Sequence, residues 1–338
     1  MTHTPISPSS FERRLLCAGS YHAEKDLPNI TSKYAEEGIY LHEVISSEKL
    51  GIIDFNKYNL NDEQKEAIKE SLNYIYKTGI DKPVTGQKII YNLNEYKVDL
   101  SFLGIEMSGT CDKVIYFDNE LHVFDYKFGK GVWVNVENNY QLALYTLGCI
   151  KALKLDTYNL KIFVHILQPF LNNFQKQELS ISDQILNKNF YKEVITKCLE
   201  IDAIRTPSEK ACKFCKAKLN CPAVINLIPK TFEKELGDVK IKTILDNKEI
   251  ILNYIKSLEE EVKTRIESGV KFEGYAIRRK NTHRSWKYEA YEYLTDELGD
   301  DAFEKKLIGI PKAEKILGKD VINDLTEKKE GEYELVRE

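Results

Sequence analysis

The chain has 338 residues, of which 42% are hydrophobic and 30% charged, and its formal net charge is −4. This composition is that of a globular protein with room for one large domain or two, and the net charge gives no global basis for binding nucleic acid. The first residues lack a basic region followed by an apolar core, and no apolar run approaches the roughly 20 residues that span a bilayer. We therefore expect a cytoplasmic protein without a membrane partner, whose seven cysteines are thiols or metal ligands rather than disulfides.

The first part of the chain is predicted to be helical. A short helix over residues 10–19 carries Cys17 in its last turn, and a second helix begins near residue 32 and includes His42. Residues 62–77 have the apolar spacing of an amphipathic helix, which indicates packing rather than chemistry.

Strands follow these helices. Short strands are predicted at 87–95 and 96–106. Residues 109–126 form two segments in which apolar and polar residues alternate, separated by the turn sequence DNE, and this pattern predicts a β-hairpin. Asp112 lies early in its first segment and Asp125 at the end of its second.

The end of the hairpin is the first candidate site. Lys127 follows Asp125 by two residues, so both side chains are expected on one face of the sheet. Two carboxylates can hold a hard divalent cation, while an ammonium group orients a water or stabilises developing negative charge. The alternative is an ordinary hairpin with a surface salt bridge between Asp125 and Lys127, which the D-x-K triplet alone would favour.

The second half of the sheet domain continues with a helix that begins near Val136. This helix places Gln141 and Tyr145 on one face, four residues apart. A buried strand then ends at Pro169, and a further strand and a helix over 183–201 follow it. This order of elements predicts an α/β domain with a mixed central sheet.

A cysteine-dense segment is the second candidate site. Cys212, Cys215 and Cys221 have the spacing C-x2-C-x5-C, and Cys17 is the plausible fourth member. Thiolates this close together require a cation, so the spacing indicates a metal site rather than three free cysteines. Zinc and a 4Fe–4S cluster both fit, and the spacing alone favours zinc. The three remaining cysteines lie within helix or strand patterns and are expected to be core residues: Cys111, Cys149 and Cys198.

The C-terminal part is predicted to be mainly helical. Helices are expected near 239–245 and 248–268, and Gly269 ends the second of them. We place a domain boundary near residue 230, which gives a first domain over 1–230 and an accessory domain over 231–338.

A basic run with an aromatic residue lies in the accessory domain. It suits backbone neutralisation with base stacking on single-stranded nucleic acid, and a solvated hairpin edge is an equally good alternative. Its members are Arg278, Arg279, Lys280, His283, Arg284, Trp286 and Lys287.

Several short motifs occur in a characteristic order: GIYLH, GTCD, DYK, QLALY and the split C…C-x2-C-x5-C. In this order they resemble the PD-(D/E)XK nucleases of the RecB type, most closely the AddB and CRISPR-associated branches that carry an iron–sulfur cluster. The chain is also similar to an uncharacterised phage- and prophage-associated family of that superfamily. The likeness covers residues 10–225 and is weaker beyond them. It implies a restriction-endonuclease-like core, in which helices flank a mixed central sheet, with an iron–sulfur cysteine clasp.

The resemblance also implies roles for single residues. Lys127 would position the attacking water and stabilise the phosphorane-like charge, while Gln141 and Tyr145 would contact the phosphate backbone or hold Lys127. The metal ligands that it implies are His42, Asp112, Asp125 and the backbone carbonyl of Tyr126. The cluster ligands that it implies are Cys17, Cys212, Cys215 and Cys221, which would staple the N-terminal helix to the end of the nuclease domain.

The chemistry of these residue types is consistent with those roles. Phosphodiester hydrolysis concentrates negative charge, which Mg²⁺ or Mn²⁺ offsets while lowering the pKa of a bound water. A lysine beside two carboxylates stays protonated, which favours electrostatic stabilisation over general-base action. Imidazole prefers Mn²⁺ to Mg²⁺, so His42 indicates tolerance of manganese.

The hypothesis is therefore a metal-dependent DNA nuclease, an exonuclease in phage DNA replication or recombination in the cytoplasm of a bacterial host. Its substrate would be single-stranded DNA or duplex ends, and a helicase or a single-strand annealing or binding protein would be a candidate partner. The alternatives are a structure-specific endonuclease of the resolvase kind and a catalytically silent nucleic-acid-binding subunit.

Overall fold

The computed structural model describes residues 6–28, 33–78, 89–227 and 237–277. Residues Met1–Ala276 form one compact unit and Ile277–Glu338 a second, of which the described part includes Ile277 alone. No helix among the described residues has both the length and the apolar character needed to cross a membrane.

Five strands form one sheet in the order β1-β2-β3-β4-β5. The pairing of β3 with β4 is parallel, and the other three pairings are antiparallel. A helix connects the two parallel strands, because parallel neighbours need a long crossover. The strands are β1 Tyr91–Asp99, β2 Ser108–Phe117, β3 Glu120–Tyr126, β4 Lys161–Gln168 and β5 Asn173–Leu179.

Helices cover both faces of this sheet. The α-helices of the described ranges are α1 Phe11–Leu16, α2 Ser20–Glu24, α3 Lys33–Ser46, α4 Asp62–Asn73, α5 Tyr140–Ala152, α6 Lys188–Leu199, α7 Glu209–Lys213, α8 Pro222–Ile225, α9 Asp238–Asp246 and α10 Lys248–Glu267. Short 3-10 turns lie at Pro8–Ser10, Phe55–Lys57, Ser101–Leu103, Pro169–Leu171, Gln184–Leu186 and Lys218–Asn220, and a π-helical turn at Tyr74–Thr78.

Two buried apolar clusters occupy the two sides of the sheet. Side chains of α1, α5 and α6 pack with residues such as Val114 and Val123 on one side. Side chains of α3 and α4 pack with the alternate residues Ile115 and Phe124 on the other. The mixed central sheet flanked by helices, which the sequence predicts, is therefore confirmed.

Several predicted boundaries differ from the structure. The two strands expected before the hairpin are one strand, β1, because a turn follows Leu100 in which Gly104 has a φ of 100°. The helix expected from Val136 begins at Tyr140, because the side chain of Asn139 accepts a hydrogen bond from the Leu142 N–H at 3.1 Å.

The helix expected over 183–201 is also shorter than predicted. A 3-10 turn precedes it, and α6 begins only after Asn187, whose side chain accepts a hydrogen bond from the Asn189 N–H.

The described C-terminal residues pack on the cysteine-dense segment. Ile250 of α10 is buried with Cys212, Cys221 and Val224, and Tyr254 packs against this cluster. The division of the chain at residue 230 remains a prediction.

Candidate active site

Two acids meet at the open end of the hairpin. Lys113 and Phe124 are the last residues that β2 and β3 pair with each other at this end of the hairpin. Asp112 precedes Lys113 and Asp125 follows Phe124, so both acids lie just beyond that pairing. Both carboxylates are buried. One oxygen of Asp112, Oδ2, accepts a hydrogen bond from the Tyr126 N–H at 2.6 Å, which fixes the carboxylate against the neighbouring strand.

Helix α3 brings His42 to the same carboxylate. Its Nδ1 lies 3.5 Å from Asp112 Oδ1, the oxygen that the Tyr126 N–H leaves free. The His42 ring also packs edge-on against Phe128, with ring centroids 5.4 Å apart. The helix therefore holds an imidazole nitrogen where it can share a cation with Asp112.

Glu95 is a third member of this group, and no motif in the sequence points to it. On β1, Asn94 pairs with Lys113 and Tyr96 with Cys111, so Glu95 stands across from Asp112. One ligand atom each from His42, Glu95 and Asp112 lies within 4.8 Å of the other two. This arrangement can hold a metal ion through one nitrogen and two carboxylate oxygens. The closeness of Glu95 to Asp112 could be predicted from the sequence only if the register of β1 and β2 were known.

The backbone of Glu95 is unusual for a strand residue. Its φ is 47°, in the left-handed region, which costs a residue with a Cβ atom roughly 1–2 kcal/mol. Strained conformations of this kind cluster at functional sites. Here the strained residue is the exposed acid beside Asp112 and His42.

A second network surrounds Asp125. The Nζ of Lys127 lies 2.7 Å from Asp125 Oδ2, and Gln141 Nε2 donates to Asp125 Oδ1 at 2.8 Å. Gln141 Oε1 is 3.4 Å from the same Nζ, and its Nε2 is 3.2 Å from the Tyr145 hydroxyl. The contacts between Asp125 and Lys127, and between Gln141 and Tyr145, follow the periods of two and four that the sequence predicts.

The two groups together carry an excess of negative charge. Although Glu95 is exposed, partial desolvation of its carboxyl and the charge of Asp112 raise its pKa. Burial together with Asp112 raises the pKa of Asp125 against the pull of Lys127. Burial alone would lower the pKa of Lys127, but the carboxylates outweigh it and raise that pKa. For His42 too, burial works downwards and Asp112 more than offsets it, so its pKa is raised. Protons or a cation must balance this charge.

A buried ion pair between Lys113 and Glu48 lies next to the site. Lys113, the residue after Asp112, is 1% exposed, and its ammonium contacts Glu48 and donates to Asn94 Oδ1 at 2.7 Å. Glu48 also accepts hydrogen bonds from the Tyr76 hydroxyl at 2.9 Å and from the Gly51 N–H at 2.7 Å. Since Glu48 follows α3, these contacts tie the helix of His42 to the strand of Asp112.

The four candidate cluster ligands line one cavity, to which the α1–α2 region contributes Cys17 and the α7–α8 region Cys212, Cys215 and Cys221. Among the described residues, no three of these sulfur atoms lie within 4.8 Å of one another. Burial raises the pKa of Cys215 to about 12. The Thr206 N–H donates to Cys17 Sγ at 3.2 Å.

Polar contacts that do not involve the thiols join the same two regions. Arg13 donates to the Phe214 carbonyl at 2.5 Å, and Glu24 accepts a hydrogen bond from the Lys216 N–H at 2.7 Å. Glu24 is buried and also pairs with Arg14 at 2.5 Å. The N-terminal helices and the cysteine-dense segment are thus held together around the cavity.

The remaining cysteines lie where the sequence predicts core residues. Cys111, Cys149 and Cys198 are buried, and the sulfur atoms of the first two are 3.7 Å apart. The basic run at 278–287 lies outside the described residues.

Comparison with solved structures gives distant likenesses. The "Putative exonuclease" of Eubacterium rectale has 12% identity and a TM-score of 0.37, with 71% of this chain and 92% of that chain covered. The crystal structure of SSO0001 has 11% identity and a TM-score of 0.33, with coverages of 66% and 88%. Neither likeness is close enough to assign a fold or an activity to this chain.

Comparison with protein families gives a match over nearly the whole length. Residues 3–338 match the family described as "Protein of unknown function (DUF2800)", and the chain therefore belongs to the DUF2800 family.

Proposed function

We propose that this protein is a metal-dependent deoxyribonuclease. The observation that carries the proposal is the pair of linked groups at the end of the hairpin: His42, Glu95 and Asp112 on one side, and Asp125, Lys127 and Gln141 on the other. A cation-binding group beside a fixed ammonium matches the chemistry that phosphodiester hydrolysis requires.

The donor set fits a divalent cation such as Mg²⁺ or Mn²⁺. Carboxylate oxygens suit both ions, while the imidazole of His42 favours Mn²⁺. Asp125 and the Tyr126 carbonyl complete the proposed ligand set, although Asp125 is ion-paired with Lys127 here. A bound cation would offset phosphate charge and lower the pKa of a coordinated water.

The protein's own residues supply positioning and charge. Two carboxylates raise the pKa of Lys127, which favours stabilisation of negative charge on the phosphate by its ammonium over action as the base. Gln141 holds both Lys127 and Asp125, and Tyr145 holds Gln141 in turn. Asp112 is fixed by the Tyr126 N–H, which limits the movement of the cation-binding group.

Exonuclease action on single-stranded DNA or duplex ends, in phage replication or recombination, is the finer form of the proposal. It rests on the motif order in the sequence. A resolvase-like endonuclease and a catalytically silent binding subunit are the competing forms. A helicase or a single-strand annealing protein is the partner that the exonuclease form suggests.

A cleavage assay on end-labelled single-stranded and duplex DNA with Mg²⁺ or Mn²⁺ tests the proposal. We expect wild type to release short products from ends, and Lys127→Ala to lose about a hundredfold or more in rate. Lys151→Ala is the matched control, because Lys151 forms a lysine–aspartate pair with Asp99 at 3.3 Å outside the site. Equal cleavage by wild type and Lys127→Ala would refute the proposed site, and internal fragments would favour an endonuclease.

We further propose that Cys17, Cys212, Cys215 and Cys221 hold a 4Fe–4S cluster. The motif order in the sequence, which resembles nucleases with an iron–sulfur cluster, is what favours this cluster over zinc. In a cubane cluster each thiolate binds a different iron atom. The shared cavity of the four cysteines supports this choice.

Metal analysis of protein purified without oxygen tests the cluster. We expect about four iron atoms per chain and broad visible absorbance, as a 4Fe–4S cluster requires. Cys212→Ala should lose the absorbance, whereas the matched core variant Cys198→Ala should keep it. Colourless protein with one zinc per chain would contradict the proposal.

A further inference from the structure

Trp133 is a large apolar side chain that remains 55% exposed. It lies in the connection between β3 and α5, which begins at the candidate catalytic Lys127 and ends at the helix of Gln141. An exposed tryptophan keeps a large apolar area available for contact, because its apolar area is among the largest of any side chain.

The connection around Trp133 is extended and alternates between inward and outward side chains. Val132 and Val134 are half-buried and Val136 is buried, whereas Trp133 and Asn135 are exposed. A period of two is the geometry of an extended segment lying on the protein surface. The ring of Trp133 is therefore directed outward by the packing of its neighbours.

Amide side chains on the sheet hold this segment in place. Gln168, which is 1% exposed, donates to the Val132 carbonyl at 2.6 Å and accepts from the Val134 N–H at 3.2 Å. Asn173 Nδ2 donates to the Val134 carbonyl at 2.9 Å. Further on, Val136 donates its N–H to the Gln175 side chain at 2.9 Å. The backbone on both sides of Trp133 is thus bonded to the end of β4 and the start of β5.

The ring itself is also oriented. The indole N–H donates to Asn135 Oδ1 at 2.8 Å. This hydrogen bond occupies the edge of the ring and leaves both of its faces accessible. No aromatic or cationic side chain of the described residues stacks on those faces. A fixed indole ring with available faces is a stacking platform for another planar group.

Gln168, which holds the segment of Trp133, lies close in the sheet to the candidate catalytic residues. The Lys127 N–H donates to the Leu167 carbonyl at 2.8 Å, and Leu167 is the neighbour of Gln168. Adjacent residues at the end of β4 therefore bind the backbone of Lys127 and, through the Gln168 side chain, the backbone of Val132 and Val134.

We infer that Trp133 stacks a nucleobase of single-stranded DNA next to the scissile phosphate. This inference rests on the proposed nuclease function and names the substrate form that the site takes. Stacking on an aromatic ring requires an exposed base face, which single strands offer and the interior of a duplex does not. Stacking is tolerant of sequence because every base has such a face, so the platform adds affinity without sequence preference.

Binding of a dye-labelled single-stranded oligonucleotide tests the inference. The full-length Lys127→Ala protein serves as background so that the DNA stays intact, and fluorescence anisotropy gives the Kd. Adding Trp133→Ala should weaken binding about tenfold, the scale of one lost base stack, while Trp133→Phe should stay near the background value. The matched control is Tyr158→Ala, an aromatic residue 79% exposed in the connection before β4, at the far end of that strand from Gln168.

Two further substrates sharpen the result. An oligonucleotide with abasic positions should bind the Trp133-containing background protein about as weakly as the normal oligonucleotide binds Trp133→Ala. An unchanged Kd for Trp133→Ala on the normal oligonucleotide would overturn the inference, and so would an equal loss on blunt duplex DNA, which would indicate stacking on a terminal base pair. These outcomes leave the nuclease proposal intact, because that proposal is tested separately by the cleavage rates of wild type, Lys127→Ala and Asp112→Asn.

Discussion

Single residues at the candidate site combine exposure with strain. Glu95 is an exposed acid in a left-handed backbone conformation, opposite a buried aspartate and within reach of a histidine. Partial desolvation and then the repulsion by Asp112 raise the pKa of Glu95. Its left-handed backbone costs the fold roughly 1–2 kcal/mol, and a bound cation would offset the repulsion between the two carboxylates.

Glu95→Gln tests this view. We expect the affinity for Mn²⁺, measured by the loss of the free-ion EPR signal, to fall at least about tenfold. The thermal stability of metal-free protein should stay the same or rise, since the repulsion with Asp112 is removed. Glu106→Gln, an exposed acid in the connection from β1 to β2, is the control and should change neither quantity. Unchanged Mn²⁺ affinity in Glu95→Gln would exclude Glu95 from the ligand set.

A buried histidine predicts how stability depends on pH. Burial lowers the pKa of His165 far below its usual value, with His122 and Lys176 adding to the effect. Its Nε2 lies 3.1 Å from His122 Nδ1, and its Nδ1 lies 3.3 Å from the Tyr74 hydroxyl. The folded state thus keeps His165 neutral, while the unfolded chain takes up a proton near pH 6.5.

Because the unfolded state binds the extra proton, the free energy of unfolding should fall as the pH drops below about 6.5. One such group contributes a slope of up to about 1.4 kcal/mol per pH unit. We expect urea unfolding between pH 7 and 5 to show a steeper decline in wild type than in His165→Gln, because groups common to both proteins cancel in the difference. Parallel declines in the two proteins would show that His165 is not held neutral.

At the scale of elements, the site depends on how α3 is held against β2. Lys113 and Glu48 form a buried ion pair, and Asn94, Tyr76 and Gly51 satisfy the remaining polar atoms of the pair. Burial lowers the pKa of Lys113, so the ammonium is maintained there by its partner. Removal of one partner alone leaves an uncompensated charge in the core.

Lys113→Met should therefore lower the free energy of unfolding by about 3–5 kcal/mol. The double variant Lys113→Met with Glu48→Gln should recover a large part of that loss, because the amide can still accept from the Tyr76 hydroxyl and the Gly51 N–H. Denaturant unfolding of the two single variants and the double variant gives the coupling directly. Additive losses would show that the pair does not act as a unit.

The elements also show what the sequence can and cannot predict. The period of a strand predicts that Asp125 and Lys127 lie together, and the period of a helix predicts the same of Gln141 and Tyr145; the structure shows both contacts. Glu95 was missed because its closeness to Asp112 depends on strand register, which local periodicity does not contain. The start of α5 was placed too early because the amides that hold Val132–Val136 extended come from distant strands.

At the scale of the whole chain, the cysteines would join segments almost two hundred residues apart. Closing a loop of that size limits the unfolded chain and contributes about 5 kcal/mol in the chain-entropy description. The contacts of Arg13 and Glu24 hold the same segments without a metal, so the folded arrangement does not depend on the cluster alone. The cluster is accordingly expected to act on stability rather than on the chemical step.

Cys17→Ser should lower the melting temperature by several degrees or more while leaving the cleavage rate at a low, permissive temperature within about twofold of wild type. Calorimetry and the cleavage assay on the same preparation measure the two effects. Cys198→Ala serves as the control for loss of a buried thiol outside the cavity. A cleavage rate that collapses while the melting temperature stays constant would instead connect the cluster with the reaction.

We propose that cleavage depends on a cation held by Asp112 with His42 and Glu95. The most direct measurement is the single-turnover rate of single-stranded DNA cleavage as a function of Mn²⁺ concentration, for wild type and Asp112→Asn. We predict a rate that saturates with Mn²⁺ in wild type and falls about a hundredfold or more in Asp112→Asn, since several kcal/mol of charge stabilisation are lost. Cleavage by Asp112→Asn at the wild-type rate, with the same dependence on Mn²⁺, would contradict the claim.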